Sequence, residues 1–251
     1  MDKPENISPA VSIICPLCLN HVEQLKTNSH IIPRFMMKKT KVNGQNVVFS
    51  NATVIEKNQK DLMADIVCSK CELRFKDNDD FAKHFFEFQK YTKLRHEYPS
   101  KTSYGKKCGY EDYDSSSYQQ LVLFLISLFL RHHLYLAKEE TKNLLGPHYD
   151  ELRLIYLSGI VSSEVYPVCM VRYYNFDGIG YPTVERSGGI NSVFVLVQSY
   201  RIWMYVDRRH IYEKAYEPFV LTPTNVRALL IDLQDSKMLR DIFDVIKKAK
   251  K

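Results

Sequence analysis

Two Cys-x-x-Cys pairs constrain this chain more than any other feature of its sequence. They read Cys15-Pro16-Leu17-Cys18 and Cys68-Ser69-Lys70-Cys71. Each pair can present two thiolates from a tight turn, and four thiolates that converge tetrahedrally are typical ligands of a structural zinc ion. Because a long segment separates the pairs, it has to fold as a small domain that returns the second pair to the first. Zinc binding would then contribute much of the stability of this domain.

Disulfides or unrelated thiols are the alternative interpretation of these cysteines. Residues 1 to 14 lack the basic segment and apolar stretch of a secretory signal, and disulfides are rare in the cytosol. We therefore expect a cytoplasmic protein in which the four paired cysteines bind one zinc ion and Cys108 and Cys169 are reduced thiols. A thiol-exchange function is a weaker alternative, because zinc-bound cysteines are not free to exchange.

The charge of the chain favours a polyanionic partner. Its net charge is +6, although ordinary soluble surfaces also carry an excess of lysine. A basic cluster, predicted to bind the phosphates of nucleic acid, comprises Arg34, Lys38, Lys39 and Lys41. The alternative is that these lysines protect the edge of a hairpin, since Asn43-Gly44 is a typical hairpin turn and Val47 to Phe49 would be the returning strand.

The remaining elements predict an α+β chain with two domains. Tyrosines, glycines and serines are frequent in residues 97 to 117, which places the boundary between a domain at 11–96 and a second at 113–251. A helix that begins near Glu72 should bury Phe81, Phe85 and Phe88. In the second domain, the patterns predict helices over 118–137, 148–157 and 224–248, and strands within 165–174 and 193–206.

The apolar run from Leu121 to Leu130 is too short to span a bilayer, which needs about 20 apolar residues. We therefore expect this run to form a buried core helix, and we expect no membrane partner. Ser115, Ser116 and Ser117 precede the helix and are candidates for its N-cap.

The order of motifs in the first half resembles that of bacterial HNH endonuclease-like proteins. Cys-x-x-Cys is followed by Ser29-His30-Ile31-Ile32-Pro33-x-Phe35 and then by Cys-x-x-Cys-Glu72. Leu121 to Arg131 and Leu145 to Arg153 also look like segments of that group. The resemblance implies a zinc-stapled ββα-metal (HNH-like) domain, followed by a domain of helices and an antiparallel sheet.

The resemblance also implies chemistry for particular residues. His30 would be the general base that deprotonates water, and Glu72 would bind a catalytic Mg²⁺ or Mn²⁺, because hard cations prefer oxygen ligands. The chain departs from many HNH nucleases at three positions. They carry a metal ligand where this chain has Ser29, and they carry Asn or His where this chain has Glu72. Their orienting Asn has no obvious counterpart among residues 61 to 67.

Two functions follow from this resemblance. The leading hypothesis is a metal-dependent nuclease that hydrolyses phosphodiester bonds of nucleic acid, with a role in bacterial defence by analogy. The alternative is a catalytically inactive zinc-knuckle module that binds nucleic acid or a protein. A protein partner and a homo-oligomer both stay open at this point.

Overall fold

The computed structural model describes residues 12–38, 41–42, 45–50, 54–58, 62–88, 91–98, 108–139, 143–174, 178–187, 189–207 and 214–232. The first strands are β1 (Ile13–Ile14), β2 (His21–Val22), β3 (Ser29–His30), β4 (Lys41–Val42), β5 (Gln45–Ser50), β6 (Val54–Asn58) and β7 (Met63–Ala64). The later strands are β8 (Thr92–Tyr98), β9 (Cys108–Tyr113), β10 (Val168–Tyr174), β11 (Gly178–Ser187), β12 (Ile190–Gln198), β13 (Tyr200–Tyr205) and β14 (Arg227–Asp232). The α-helices are α1 (Arg34–Lys38), α2 (Ser69–Phe88), α3 (Tyr118–Lys138) and α4 (Tyr149–Ser158), and short 3-10 turns cover Ser115–Ser117, Gly146–His148 and Lys214–Phe219.

A ten-stranded sheet forms the largest layer of this α+β fold. Its strand order is β4-β5-β11-β12-β13-β10-β14-β9-β8, and β6 pairs with β5. Neighbouring strands are antiparallel except at β10–β14 and β5–β11. The sheet joins strands from both ranges that the sequence assigned to separate domains, and the division into two domains stays a prediction. The expected hairpin forms, because β4 pairs with β5 in antiparallel fashion.

Helix α3 lies at the centre of the core, where it contacts α2, α4 and β11. Its side chains from Leu121 to Leu130 are buried, apart from the half-buried Leu123, which confirms the predicted core helix. By length and composition the stretch Ser115–Lys138 could cross a membrane, but 72% of its most apolar window is buried inside the protein. Such burial is expected of a core helix in a folded domain. Ser117 is the N-cap residue of α3, as predicted, although its side chain makes no capping hydrogen bond. Asp114 caps the preceding 3-10 turn by accepting from Ser116 N–H at 2.9 Å.

Helix α2 connects the cysteine-rich region to the sheet. Its C-terminal half packs Phe85 against Tyr113 of β9 (ring centroids 4.9 Å apart) and Phe86 against Tyr200 of β13 (5.0 Å). Phe81 and Phe85 are buried as predicted, but Phe88 is 61% exposed. The prediction for Phe88 was wrong because the helix ends there, beyond the part that packs on the sheet.

The prediction of a helix over 224–248 was wrong in its first part. Residues 227–232 form β14, which pairs with β9 on one side and β10 on the other. Ala228 and Leu230 are fully buried, so an apolar pattern that fits a helix face also fits a strand in the middle of a sheet. Residues 233–248 lie outside the described residues.

Candidate metal centre and adjoining cleft

The four paired cysteines converge at the beginning of α2. Their sulfur atoms all lie within 4.8 Å of one another. The Sγ atoms of Cys15 and Cys71 are 3.9 Å apart, and those of Cys18 and Cys68 are 3.8 Å apart. These distances exclude disulfides, whose sulfur atoms are about 2.05 Å apart. Of the described residues, these are the one group of three or more cysteine, histidine or acidic side chains placed to share a metal ion.

The distances fit a tetrahedral zinc site. With Zn–S bonds of about 2.3 Å, the ligand sulfurs of a regular tetrahedron lie about 3.8 Å apart, close to the distances in this cluster. Cys15, Cys68 and Cys71 are buried and Cys18 is half-buried, so the sulfurs are largely protected from solvent. The four cysteines are therefore positioned to bind a metal ion such as zinc.

The local electrostatics favour a thiolate at Cys15. Its hydrogen bond with Cys71 lowers the pKa of Cys15 to about 4, although burial opposes that shift. The backbone N–H of Cys68 also donates to Cys15 Sγ at 3.3 Å. The same pairing raises the pKa of Cys71, and burial raises the pKa of Cys18. Such clustering of thiols favours a cation, because a cation lets all four sulfurs lose their protons together.

Helix α4 holds the first cysteine loop in place. The hydroxyl of Tyr149 donates to the carbonyl of Pro16 at 2.8 Å, and Arg153 Nη1 donates to the carbonyl of Leu17 at 3.1 Å. Tyr149 also stacks on His133 of α3, with ring centroids 4.4 Å apart. The sulfur cluster thus has hydrogen-bonding support from a segment far away in the sequence, which is typical of metal sites.

His30 lies in a two-stranded sheet that precedes the second cysteine pair in the chain. Strand β3 pairs with β7 in antiparallel fashion, with His30 opposite Met63, and α2 follows β7 in the chain. His30 is half-buried, whereas Ser29 is 1% exposed and its hydroxyl donates to the carbonyl of Lys26 at 3.4 Å. The position where many HNH proteins carry a metal ligand is therefore used here for an internal hydrogen bond.

A cleft of about 640 Å³ opens between this small sheet and α2. Its lining includes His30 and one face of α2 with Glu72, and a volume of this size is typical of sites for small ligands. The basic side chains on its walls belong to Lys26, Arg34, Lys76 and Lys83. The acidic side chains belong to Glu72, Asp79, Asp80 and Glu87. The cleft can therefore contact both an anionic ligand and a cation.

Arg131 of α3 is buried behind this cleft and pairs with Asp79. Its two terminal nitrogens contact the two carboxylate oxygens at 3.0 and 2.5 Å. The guanidinium also lies over the ring of Phe75, 4.6 Å from the centroid. Burial alone would lower the pKa of Arg131, but the Asp79 carboxylate raises it. The side chain therefore stays charged while only 1% exposed, as expected of a well-paired buried arginine.

Glu72 carries an unusual carboxylate. Its Oε2 atom is buried and has no hydrogen-bond partner among the residues that the structure describes. A buried acceptor without a partner costs about 1 to 3 kcal/mol, and more when it is charged. A carboxylate oxygen on the wall of a cleft is a suitable ligand for a hard divalent cation.

The predicted site residues are only partly brought together. His30, Glu72 and Arg34 line the same cleft. Lys39 and the side chains of Lys38 and Lys41 lie outside the described residues, so their predicted contacts with phosphate stay predictions. The roles of His30 and Glu72 stay predictions too.

Sequence reasoning missed most of the other cleft residues. Those on α2 could have been found, because Lys76, Asp79 and Lys83 follow Glu72 at the spacing of one helix face. Arg131 carries a weaker signal, since it is a charged residue at the end of an apolar run. Its partner on α2 is 52 residues away in sequence, and only the tertiary fold reveals it.

Comparison of the chain with protein-family models, with curated proteins and with solved structures finds no match.

Proposed function

We propose that this protein is a metal-dependent nuclease that hydrolyses phosphodiester bonds of nucleic acid in the cleft beside the cysteine cluster. One observation carries the proposal. A half-buried histidine, His30, and a carboxylate with a buried, unpaired oxygen, Glu72, line the same cleft together with four basic side chains. A base, an oxygen ligand for a cation and a surface for phosphates are the parts that this reaction needs.

The arrangement of elements supports the same reaction. An antiparallel pair, β3 and β7, precedes a helix that begins at the second cysteine pair, and this is the order of elements in the ββα-metal fold that the sequence resembles. His30 stands on the first strand and Glu72 in the first turn of the helix, as that resemblance implies.

Each residue has a separate task in the proposed reaction. His30 takes a proton from the attacking water, and the basic side chains of Lys26, Arg34 and Lys76 hold the phosphate backbone. A divalent cation such as Mg²⁺ or Mn²⁺, held by Glu72, would stabilise negative charge on the phosphate and the leaving oxygen. The four cysteines hold zinc in a structural role that keeps the start of α2 in place.

Incubation of the purified protein with plasmid, single-stranded DNA and RNA, with Mg²⁺ or Mn²⁺, tests this proposal. Cleavage should fall by a factor of at least about 100 in His30→Ala, with zinc content and thermal unfolding unchanged. His84→Ala is the matched control, because His84 is an exposed histidine on α2, and it should cleave like the parent.

Two outcomes would contradict the nuclease. Cleavage that persists in His30→Ala would show that another group or a contaminant acts as the base. Binding of nucleic acid without cleavage of any substrate, at any divalent ion tested, would instead support the alternative of a zinc-knuckle binding module.

A further inference from the structure

Phe88 presents an aromatic ring to the cleft at the end of α2. The side chain is 61% exposed and lines the cleft. No other phenylalanine, tyrosine or tryptophan is exposed among the residues whose burial the structure describes. The one described ring that contacts it is that of His84, with centroids 5.5 Å apart and planes tilted by 37°. Because this contact leaves the ring largely exposed, the ring is available to stack on a planar ligand in the cleft.

The charges that face solvent along the cleft favour an anionic ligand. All four basic side chains of its described lining are exposed: Lys26, Arg34, Lys76 and Lys83. Of the four acidic side chains in that lining only Asp80 is exposed, whereas Glu72, Asp79 and Glu87 are half-buried. Asp79 is also neutralised by its ion pair with the buried Arg131. The accessible charge is therefore mainly positive, which complements the phosphates of nucleic acid.

The lining of the cleft extends along most of α2. It includes Glu72 in the first turn and Phe88, the last residue of the helix, and these two residues lie about 24 Å apart along the axis at 1.5 Å per residue. The exposed Lys76 and Lys83 stand between them. A row of phosphates that followed the helix from Glu72 would therefore pass both lysines before it reached Phe88.

The shape of the cleft favours a single strand over a duplex. Besides α2, the cleft is lined by Pro33, Arg34 and Phe35 at the start of α1. The major groove of duplex DNA is about 12 Å wide and a helix is about 10 to 12 Å across, so the groove has no room for α2 together with this second wall. The volume of about 640 Å³ is that of a site for a small ligand, which fits nucleotides of one strand.

We propose that the cleft binds single-stranded nucleic acid and that an unpaired base of the strand stacks on the ring of Phe88. This inference rests on the proposed function for the identity of the ligand, and it names the substrate class of the same cleft. Aromatic side chains stack with any base, since every base has a π face. Phe88 therefore selects unpaired strands without selecting a sequence. The base that it holds lies about seven stacked nucleotides from Glu72, at about 3.4 Å per nucleotide.

Binding of labelled oligonucleotides, followed by fluorescence anisotropy without added Mg²⁺ or Mn²⁺, tests this inference separately from cleavage. The probes are a single strand of about 12 nucleotides, which exceeds the length of α2, the duplex of the same sequence, and a strand of abasic sites. The zinc-loaded parent should bind the single strand at least about tenfold more tightly than the duplex. Phe88→Ala should weaken binding of the single strand by at least about fivefold, and binding of the abasic strand by less than about twofold.

Matched variants separate stacking from a simple apolar contact. Phe88→Tyr keeps the ring and should bind the single strand within about twofold of the parent, whereas Phe88→Leu keeps only an apolar side chain and should bind as weakly as Phe88→Ala. Leu154→Ala removes a side chain of α4 that is 58% exposed and outside the described lining of the cleft, and it should bind like the parent. Because Phe88 and Leu154 are exposed, thermal unfolding of these variants should match that of the parent.

Tryptophan fluorescence reports the stacking directly. The chain has one tryptophan, Trp203, which is buried in β13. Phe88→Trp adds an indole at the end of the cleft, and a base that stacks on it should quench most of the added emission when the single strand binds. The parent, which has only Trp203, should keep its emission. An added indole whose emission does not change in the complex would overturn the stacking.

The outcomes also separate this inference from the nuclease. Binding that depends on the Phe88 ring, with no cleavage of any substrate, would support the inference and overturn the nuclease. Cleavage that depends on His30, with Phe88→Leu binding like the parent, would overturn only the stacking. Equal affinities of the parent for the single strand and the duplex would overturn the selection of unpaired strands. A parent that binds no nucleic acid would overturn the inference and the nuclease together.

Discussion

The cysteine cluster and the cleft meet at the first turn of α2, but they are built in opposite ways. The cluster draws its four ligands from two short motifs, and its sulfur atoms already stand at the distances of a zinc tetrahedron. The cleft draws on strand β3, one face of α2 and, through Arg131, on α3. It leaves one carboxylate oxygen without a partner. The four sulfurs are arranged as in a closed metal site with four protein ligands, whereas the cleft is open.

This difference predicts which of the two regions contributes more to the stability of the protein. A closed site with four protein ligands adds to folding free energy when its metal binds. A buried carboxylate oxygen that accepts no hydrogen bond from the described residues costs stability rather than adding to it. We therefore expect variants of the cluster to change stability strongly and variants of the cleft to change it little.

The largest effect should come from Cys68→Ser. Loss of one thiolate should release the zinc and lower the free energy of unfolding by more than about 3 kcal/mol, because apparent zinc-binding energies of about 10 to 16 kcal/mol couple to folding in small zinc domains. Metal analysis and thermal unfolding measure both effects. Cys169→Ser is the control, since Cys169 is a buried free cysteine of β10 and its replacement should leave one zinc per chain. A Cys68→Ser protein that kept zinc and a native transition would contradict the zinc assignment.

The cluster is also the part that the sequence predicted best, and the reason is physical. Two Cys-x-x-Cys pairs are typical of one zinc site whatever the fold between them, so the motif predicts directly that the pairs lie close together. The prediction of α3 succeeded for a related reason, because a long apolar run bounded by polar residues has few structures available. Residues 227–232 were predicted wrongly because they pair with β9 and β10, which are distant in the sequence. The apolar pattern of a short segment does not indicate such pairing.

The sequence could predict only those parts of the cleft that come from a motif or from one face of a helix. Ser29-His30 and Glu72 belong to motifs, and the remaining cleft residues of α2 share a helix face. The contact of Arg131 with Asp79 joins two helices whose packing follows from the whole core. The unpaired oxygen of Glu72 is a property of that packing, so no pattern in the sequence indicates it.

Acid should also destabilise the protein through a buried histidine outside both regions. Burial lowers the pKa of His132 to about 4, and its Nδ1 lies 3.0 Å from the carbonyl of Pro182. The unfolded chain, with a pKa near 6.5, takes up this proton first, so stability is lost as the pH falls from about 6.5 to about 4, by about 3 kcal/mol. Urea unfolding at pH 7.5 and pH 4 should show that difference between the parent and His132→Gln. An identical acid dependence in both proteins would contradict a neutral, buried His132.

A smaller effect on stability is expected for Tyr149→Phe, and its zinc affinity tests whether α4 supports the cysteine cluster. Tyr149→Phe removes the hydrogen bond to the Pro16 carbonyl and should cost about 1 kcal/mol of unfolding free energy, while zinc affinity falls by about tenfold. Tyr156→Phe removes a similar bond, from Asn78 Nδ2 at 2.9 Å, and should cost the same stability without changing zinc affinity. Competition with a zinc chelator measures this difference, and equal affinities in the two variants would show that α4 does not support the cluster.

The smallest predicted effect is a gain in the free energy of unfolding, whereas the preceding variants lose stability. Glu72→Gln replaces a half-buried carboxylate, whose Oε2 atom accepts no hydrogen bond from the described residues, by a neutral amide. It should raise the free energy of unfolding of the protein without divalent cations by up to about 1 kcal/mol. Glu87→Gln, in the same cleft, should leave it unchanged. Chemical unfolding in the presence of a weak chelator for Mn²⁺ and Mg²⁺ measures both. A clear loss of stability in Glu72→Gln would mean that Glu72 is a structural residue.

Anomalous diffraction from crystals grown with zinc and soaked in Mn²⁺ would test the contrast between the two regions most directly. Data at the zinc and manganese edges should show zinc among the sulfurs of Cys15, Cys18, Cys68 and Cys71, at about 2.3 Å from each. They should also show manganese in the cleft, within about 2.2 Å of Glu72 Oε2. Zinc in the cluster with no manganese at Glu72 would contradict the open cation site, and with it the proposed nuclease.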